Sequence, residues 1–289
     1  MPSAKELAEQ KARQSFEAML DSEAKNRFRK VLVFGPSGVG KTTFVGSAAL
    51  DPRTSPVLVL DFDGGSMSLE GLDPKTLRVK RVKDWDDFNI AYDYLASGNH
   101  PYKTVAVDSL SELHVFSMLN IVDDEIAEAI DKARKEGKKE DQAKRIDELE
   151  IQQQDYGKSM VQIRRFLRAM LNLDMHCIFT ALPKSAKIAR EGTVQLPAMF
   201  GQMAEEVVGM FDVTGYINQE EQVVAANPQV KGSKPTTRVV RVLNLQNTPG
   251  VRVKVRTPFG ESASVPNRIL IGEKDGVPRL FNALKVPMP

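Results

Sequence analysis

The chain has 289 residues, with 40 lysines and arginines against 38 aspartates and glutamates, a formal net charge of +2 and 42% hydrophobic residues. These values are typical of a globular protein with one large core. No stretch approaches the roughly 18 consecutive apolar residues of a membrane helix, and no signal peptide opens the chain. One cysteine and three scattered histidines exclude a disulfide framework and a structural zinc site. We therefore expect a cytoplasmic protein that makes no membrane contact.

Charge is distributed unevenly along the chain. Residues 227–289 contain eleven basic and three acidic side chains, a net charge of +8, which leaves residues 1–226 at −6. A basic end on an acidic body is typical of a protein with an anionic partner, such as nucleic acid or phosphate. A solvated basic surface explains the same counts, so charge alone leaves both interpretations open.

The order of apolar segments predicts the fold. Residues 1–27 contain one helical segment, which we interpret as an N-terminal helical arm. From residue 28 to residue 260, short apolar runs alternate with helical stretches, as in an α/β protein with a mainly parallel sheet flanked by helices. The predicted strands are residues 31–34, 57–61, 77–82, 104–108 and 176–180. After residue 211 the apolar and polar residues alternate, which predicts late antiparallel strands in the same core.

Two segments fall outside this regular pattern. Residues 131–150 hold fourteen charges, seven of each sign, which favours a solvated helix or charged excursion over a binding site. Residues 261–289 are rich in proline and glycine, and we expect a loosely packed C-terminal arm there.

The strongest motif is VLVFGPSGVGKTTF, which contains a predicted strand and leads into a predicted helix. Gly35, Gly40, Lys41 and Thr42 match G-x-x-x-x-G-K-[ST], a loop whose backbone N–H groups bind phosphate oxygens. The lysine of such a loop reaches the β- and γ-phosphates, and the threonine hydroxyl binds Mg²⁺. The motif predicts that ATP and Mg²⁺ are bound by Gly35, Pro36, Ser37, Gly38, Val39, Gly40, Lys41, Thr42 and Thr43.

A second acid for the Mg²⁺ water shell is supplied by KTVAVDSL, an apolar strand that ends in Asp108. An aspartate at the end of a buried strand also serves as the N-cap of a following helix, and Ser109 is able to take that role instead. Given the phosphate-binding motif, we favour the metal-binding role for Asp108.

Two carboxylates, Asp61 and Asp63, follow the second predicted strand. Side chains two residues apart on an extended chain point the same way, here toward the sheet edge where ligands bind. Either carboxylate is able to polarise an attacking water molecule. An Asx turn, which the sequence Asp-Gly-Gly favours, explains the same residues, and the spacing leaves both interpretations open.

The order of these features along the chain resembles that of the RecA/RadA class of ATPases. The features are the phosphate-binding motif, the acid-bearing second strand, Asp108, the strand HCIFTA and the late strands. More narrowly, the chain resembles the compact RecA-like ATPases that are encoded by bacteriophages and associated with single-strand annealing and recombination. The stretches that carry the resemblance span about residues 30–260 and are GPSGVGKTTF, VLVLDFDGGSMSL, YKTVAVDSLSEL, QQDYGKSMVQIRRFLRAML, HCIFTALPK and GVRVKVRTPFG.

The resemblance implies roles for several residues. Asp63 matches the catalytic glutamate of the class but is one methylene shorter, and Thr180 matches the region that senses the γ-phosphate. Lys254 and Arg256 match a Lys-x-Arg that reaches the ATP site of the neighbouring subunit in hexameric relatives, whereas the alternation VRVKVR alone predicts two exposed cations. The class also implies a homo-oligomer, as a ring or a filament, with single-stranded DNA and a single-stranded DNA-binding protein as candidate partners.

The segment PKSAKIAREGTVQLPAMFG follows the strand HCIFTA, at the place where RecA-like proteins hold single-stranded DNA. Its cations Lys184, Lys187 and Arg190 recur at three-residue intervals. Phosphate contacts from these side chains predict weak sequence preference and a steep salt dependence of DNA affinity. A basic loop that only keeps the surface solvated explains the same residues.

Several functions fit these observations. The first is an ATPase that assembles on single-stranded DNA for annealing or strand exchange, and the second is a DNA-binding module that ATP switches with little turnover, which suits the short Asp63. A small-molecule kinase is disfavoured because the sequence shows no arginine-rich lid, and a helicase loader stays open. Stimulation of ATP hydrolysis by single-stranded DNA separates most of these functions.

Overall fold

A computed structural model describes residues 4–23, 28–137, 153–188, 192–224, 235–257 and 264–288. The N-terminal segment forms a helix, α1 (Ala4–Glu23), where its sequence predicts one. Most of the remaining elements belong to one large mixed sheet and its flanking helices, and a separate two-stranded hairpin completes the described chain.

The strands are β1 (Lys30–Phe34), β2 (Val57–Asp61), β3 (Leu77–Arg81), β4 (Thr104–Asp108), β5 (His176–Ala181), β6 (Pro183–Ile188), β7 (Gly192–Pro197), β8 (Val213–Val224), β9 (Thr236–Asn244), β10 (Lys254–Val255) and β11 (Arg268–Ile271). The helices after α1 are α2 (Lys41–Ser47), α3 (Trp85–Ala96), α4 (Leu110–Lys135), α5 (Gln153–Leu171), α6 (Met203–Met210) and α7 (Gly276–Ala283). Two short 3₁₀ turns cover Ala48–Leu50 and Ser66–Leu69.

The large sheet is mainly parallel, as the alternating pattern predicts. Its strands lie in the order β11-β9-β8-β1-β5-β4-β2-β3, and β10 pairs with β8. Strands β1 to β5 and β8 are parallel to their neighbours within that group, whereas β9, β10 and β11 pair antiparallel. Parallel strands need crossover connections and are covered on both faces, which explains why their sequences are continuously apolar.

Alternate side chains of each central strand enter two separate cores. On β1, Val31 and Val33 pack into the core that α2 and α7 cover, whereas Leu32 and Phe34 pack into the core that α3, α4, α5 and α6 cover. Helices on both faces hold the strands in place, so the strand ends provide fixed positions for the residues that follow them.

The sheet register brings four strand ends to one edge. Phe34 at the end of β1 pairs with Ala181 at the end of β5, and Asp61 at the end of β2 pairs with Asp108 at the end of β4. The residues after these four strands therefore emerge side by side at the carboxyl edge of the sheet, which is where open α/β sheets bind ligands.

The charged segment is helical in its first part. Helix α4 extends to Lys135, into the first residues of the charged segment 131–150. Residues 138–152, which include most of the predicted charged excursion at 131–150, lie outside the described residues. None of the helices in the described ranges is long and apolar enough to cross a membrane.

The stretch after β5, predicted as a loop, is instead a β-hairpin. Strands β6 and β7 pair antiparallel, with Lys184 opposite Leu196 and Lys187 opposite Thr193. The hairpin is anchored by two apolar side chains of β7, Val194 and Leu196, which are buried. With only these two apolar anchors among polar residues and a glycine, the alternation of apolar and polar residues is too weak to predict a pair of strands from the sequence.

The C-terminal segment is not the loosely packed arm that its proline and glycine content suggested. Strand β11 pairs with β9 at the edge of the large sheet, and α7 buries Val277, Leu280 and Phe281 against the core. The backbone N–H of Val277 also donates to the Ser47 hydroxyl on α2 at 2.8 Å. Pro278 lies in the first turn of α7, where a missing N–H is tolerated, so it does not break the helix.

Candidate nucleotide-binding site

The loop from Gly35 to Gly40, between β1 and α2, has a backbone that requires glycine at both ends. Gly40 has a φ of 99°, in the left-handed region that favours glycine, and it is the N-cap of α2. At Gly35 a Cβ atom would lie 2.2 Å from the carbonyl oxygen of Ile217 on β8, so no larger residue fits. Val39 is buried in the core and anchors this phosphate loop. The other predicted loop residues are Pro36, Ser37 and Gly38, which are exposed, and Thr43, which is half-buried in α2.

The Lys41 ammonium lies across the phosphate loop. Its Nζ donates to the carbonyl oxygens of Gly35 and Pro36, each at 2.9 Å. Burial lowers the pKa of Lys41, and the negative charges of Asp108 and Asp63 oppose that shift. The cation is therefore held inside the loop, within the electrostatic reach of both carboxylates.

Two threonine hydroxyls hold Asp108 at the end of β4. Thr42 donates to Oδ2 at 2.7 Å, and Thr180 at the end of β5 donates to Oδ1. Burial raises the pKa of Asp108, and the two hydrogen bonds oppose that shift. The peptide bond between Asp108 and Ser109 is cis.

The N-cap of α4 is Ser109 and not Asp108. The Ser109 hydroxyl accepts a hydrogen bond from the Glu112 N–H at 3.4 Å. The alternative role of Asp108 as a helix cap is therefore taken by its neighbour, and the Asp108 carboxylate faces the hydroxyl of Thr42.

The pair of Thr42 and Asp108 fits a magnesium ion that arrives with a nucleotide. A hydroxyl and a carboxylate are oxygen ligands, which Mg²⁺ prefers, and Mg²⁺ in phosphate sites takes few protein ligands beside water and phosphate oxygens. No group of three or more His, Cys, Asp and Glu side chains forms a separate metal site among the described residues.

Asp61 and Asp63 differ in their surroundings, although their spacing predicts a common direction. Asp61 is buried and accepts a hydrogen bond from the Gly64 N–H at 2.7 Å. Burial raises the pKa of Asp61. A hydrogen bond from Ser66 opposes that shift, and so does the charge of Arg81, whose Nη1 lies 3.5 Å from Oδ1 of Asp61. Both acids therefore accept an N–H of this turn, because Asp63 forms with Gly65 the Asx turn that the sequence Asp-Gly-Gly favours.

Asp63 is the exposed carboxylate at this strand end. Its Oδ1 accepts a hydrogen bond from the Gly65 N–H at 3.0 Å, and its charge acts on Lys41. A Cβ atom on Gly65 would lie 4.0 Å from the Thr42 hydroxyl oxygen, so this turn borders the predicted metal-binding residue. Of the two acids after β2, Asp63 is therefore the exposed one, and its charge acts on the lysine of the phosphate loop.

Lys254 and Arg256 lie away from the phosphate loop of their own chain. Lys254 on β10 pairs with Thr214 near the start of β8, which is the amino-terminal edge of the parallel strands. Its Nζ and the Arg256 guanidinium both donate to the carbonyl oxygen of Gly209, and Arg256 forms a 3.3 Å ion pair with Asp212. The two cations share one face, and a role at an ATP site requires the site of another subunit.

The two described cations of β6 point to opposite faces of the hairpin, because residues three apart on a strand alternate. Lys184 is half-buried and donates to the carbonyl oxygen of Met199 at 3.0 Å, whereas Lys187 is exposed. Arg190, the third predicted DNA contact, lies outside the described residues. Of the described pair, Lys187 is the cation available to a phosphate.

Sequence reasoning missed a direct link between this hairpin and the nucleotide site. Ser111, in the first turn of α4, accepts a hydrogen bond from the Leu182 N–H at 3.0 Å and donates to the carbonyl oxygen of Ala198 at 3.4 Å. Leu182 precedes β6 and Ala198 follows β7, so both ends of the hairpin are bound to the helix that begins beside Asp108. A serine in a first helical turn carries no sequence signal for such a contact.

Arg241 on β9 is a second residue that sequence reasoning missed. A Cβ atom on Gly40 would lie 3.0 Å from its Nε, so the guanidinium contacts the phosphate loop. Arg241 lies on the same face of β9 as Leu243, which is buried. An arginine beside a buried leucine on one strand face is a sequence signal for a functional cation.

Three features define a P-loop ATPase with a RecA-like fold. They are the mainly parallel sheet, the phosphate loop after β1, and the hydrogen-bonded group of Thr42, Asp108 and Thr180. The chain belongs to the AAA domain family, which matches residues 27–257. A comparison with curated proteins gives no match.

The solved structures that are similar to this chain are remote in sequence. The crystal structure of the RadB recombinase is 14% identical, with a TM-score of 0.45, over 85% of this chain and 88% of that chain. Flagellar accessory protein FlaH from Methanocaldococcus jannaschii is 11% identical, with a TM-score of 0.35, over 84% and 89%. An ATPase from the type III secretion system of pathogenic bacteria is 13% identical, with a TM-score of 0.36, over 66% and 52%. These likenesses do not extend to substrate or partner.

Proposed function

We propose that the protein is an ATPase that binds single-stranded DNA and couples the two activities through the hairpin of β6 and β7. The observation that carries this proposal is the pair of Ser111 hydrogen bonds to Leu182 and Ala198, at the two ends of the hairpin. Because α4 begins two residues after Asp108, a shift of this strand end on nucleotide binding is passed to the hairpin. Packed elements transmit such shifts when they have two discrete arrangements.

The nucleotide site supports a role in ATP hydrolysis for five side chains. Lys41 binds the β- and γ-phosphates, and Thr42 and Asp108 hold Mg²⁺, which neutralises phosphate charge when bound. Asp63 orients the attacking water and accepts its proton, since it is the exposed carboxylate beside Lys41. Thr180 senses the nucleotide through its hydrogen bond to Asp108.

The DNA-binding part of the proposal is supported by exposed charge. Lys187 lies on the solvent face of the hairpin, and the C-terminal part of the chain carries the excess of basic residues. The half-buried Lys254 and the exposed Arg256, which share one face, support a homo-oligomer in which both reach the ATP site of a neighbour. In keeping with the motif resemblance, we place the protein in phage-type annealing or strand exchange in a bacterial cytoplasm, with a single-stranded DNA-binding protein as a further partner.

The test is the rate of ATP hydrolysis with and without single-stranded DNA. We expect single-stranded DNA to raise turnover, and we expect the increase to disappear at high salt because phosphate contacts dominate. Equal turnover in both conditions would contradict the coupling. Phosphate transfer to a small acceptor, in place of hydrolysis, would instead indicate a kinase.

A second candidate, an ATP-switched DNA-binding module with little turnover, is favoured by one observation. Asp63 is short, and its Oδ1 already accepts a hydrogen bond from the Gly65 N–H at 3.0 Å. A carboxylate held in this way is poorly placed to move toward a water molecule. DNA affinity that depends on a non-hydrolysable ATP analogue, together with negligible turnover with DNA present, would favour the switch.

A further inference from the structure

A polar cavity of about 570 Å³ opens between β9, the turn from β11 to α7, and α7 itself. This volume lies within the range of about 300–1,000 Å³ that is typical of small-molecule sites. The hydrolytic roles described above use none of its polar side chains. Those side chains are Gln219, Arg238, Arg241, Glu273, Asp275 and Arg279.

Arg241 separates this cavity from the phosphate loop. The sheet register places it opposite Gln219 on β8 and opposite Ile271 on β11, so its backbone is held on both sides. A Cβ atom on Gly40 would lie 3.0 Å from Nε and 3.2 Å from Cζ of Arg241. The guanidinium is therefore packed against the last glycine of the loop, and it connects the loop to the cavity.

The charge of Arg241 is poorly compensated by the described residues. Its side chain is 27% exposed, and its one ion pair within the described chain is a 3.9 Å contact with Glu273, which is 76% exposed. No described residue accepts a hydrogen bond from the guanidinium. A largely buried cation without acceptors is costly, whereas a phosphate oxygen is a strong partner for an arginine fork.

We propose that Arg241 binds the nucleotide of its own subunit, with its guanidinium on the α- and β-phosphates and the nucleoside in the cavity behind it. This inference rests on the proposed binding of nucleotide at the phosphate loop. The backbone of such a loop holds the α- and β-phosphates, while its lysine reaches toward the γ-phosphate. A guanidinium at Gly40 lies beside the loop backbone that holds the α- and β-phosphates. The ligand class is therefore a nucleoside diphosphate or triphosphate.

The test compares the affinities of the full-length protein for ADP and for a non-hydrolysable ATP analogue, both with Mg²⁺, by calorimetry. Arg241→Ala should weaken both by the same factor, about tenfold or more, because one charge-assisted hydrogen bond contributes about 1.5–3 kcal/mol. Arg241→Lys keeps the charge but loses the planar fork, and it should weaken both by a smaller, again equal, factor. The matched control is Arg268→Ala on β11, where the guanidinium pairs with Glu220 at 2.7 Å, and it should stay within about twofold of wild type.

Three results would overturn the inference. Wild-type affinity of Arg241→Ala for both nucleotides would remove Arg241 from the site, and a loss confined to the ATP analogue would make it a γ-phosphate contact. If Arg241→Ala does not fold, Arg241→Lys replaces it in the test. Wild-type affinity of Arg241→Lys for both nucleotides would then remove Arg241 from the site. Failure of the wild-type protein to bind either nucleotide is a different outcome, because it contradicts the proposed function itself.

Discussion

Asp63 and Asp61 are the two acids after β2, and their surroundings differ. Asp63 is exposed, whereas Asp61 is buried and accepts a hydrogen bond from the Gly64 N–H. We predict that Asp63→Asn lowers the hydrolysis rate about 10²–10⁴-fold, because an amide cannot accept the proton of water. Nucleotide affinity should stay close to wild type. Single-turnover hydrolysis and nucleotide titration measure the two effects separately.

Asp61→Asn is the matched control for that prediction. Its effect should appear as lower stability and not as slower chemistry, since Asp61 is buried and accepts the Gly64 N–H. If Asp61→Asn slows hydrolysis and Asp63→Asn does not, the catalytic carboxylate has been assigned to the wrong side chain.

His114 on α4 makes the stability of the protein depend on pH. Burial lowers the pKa of His114 to about 4 from an ordinary 6.5, and the charge of Lys184 adds to the shift. As the pH falls below 6.5, the unfolded chain takes up a proton that the folded chain does not, so the free energy of unfolding decreases down to pH 4. His176, with a pKa also lowered to about 4 by burial, acts in the same direction.

We predict that His114→Leu raises the free energy of unfolding at pH 7 by about 1 kcal/mol, because the change removes a buried polar atom. The His114 Nε2 has no hydrogen-bond partner within the described part of the chain. The variant should also lose less stability between pH 7 and pH 5, with the remaining loss due to His176. Urea unfolding at both pH values measures this, and a steeper pH dependence in the variant would contradict it.

At the scale of elements, the central strands were predictable because burial on both faces leaves a continuous apolar run. β2 and β4 occupy the predicted residues 57–61 and 104–108. The hairpin of β6 and β7 was missed because Val194 and Leu196 are its main buried apolar anchors and both lie on one strand. Helix α7 was missed because proline and glycine suggested a loop, although its apolar residues recur at helical spacing.

The hairpin geometry distinguishes the two lysines of β6. Lys187 faces solvent, whereas Lys184 donates to the Met199 carbonyl oxygen. We predict that Lys187→Ala weakens single-stranded DNA binding and reduces the slope of log affinity against log salt by about 0.7, the value for one phosphate contact. Lys184→Ala should leave the slope unchanged. A change of slope in Lys184→Ala, with none in Lys187→Ala, would mean that DNA approaches the opposite face.

At the scale of the whole molecule, Lys254 and Arg256 lie at the amino-terminal edge of the sheet, opposite their own phosphate loop. We predict that a mixture of Arg256→Ala and Lys41→Ala subunits regains part of the ATPase activity that each lacks alone. Such a mixture contains interfaces with an intact loop on one side and an intact cation pair on the other. Full turnover by a strictly monomeric wild-type protein would contradict this prediction.

The site itself was predictable only where its residues are local in sequence. The phosphate loop is one continuous motif, and Asp108 ends an apolar strand, so the sequence predicts both. Arg241 reaches Gly40, and Ser111 reaches Leu182, across separations that only the folded sheet closes. No local pattern encodes contacts of that kind, because strand order and register decide them.

Mg-ATP binding and turnover by Lys41→Ala test the central claim, a nucleotide site at the phosphate loop, most directly. Lys41 is half-buried and donates to the Gly35 and Pro36 carbonyl oxygens, so its loss removes a phosphate contact without opening the core. We predict that the variant loses tight Mg-ATP binding and turnover while it unfolds at the same urea concentration as wild type. Unchanged ATP turnover in this folded variant would contradict the assignment of the site.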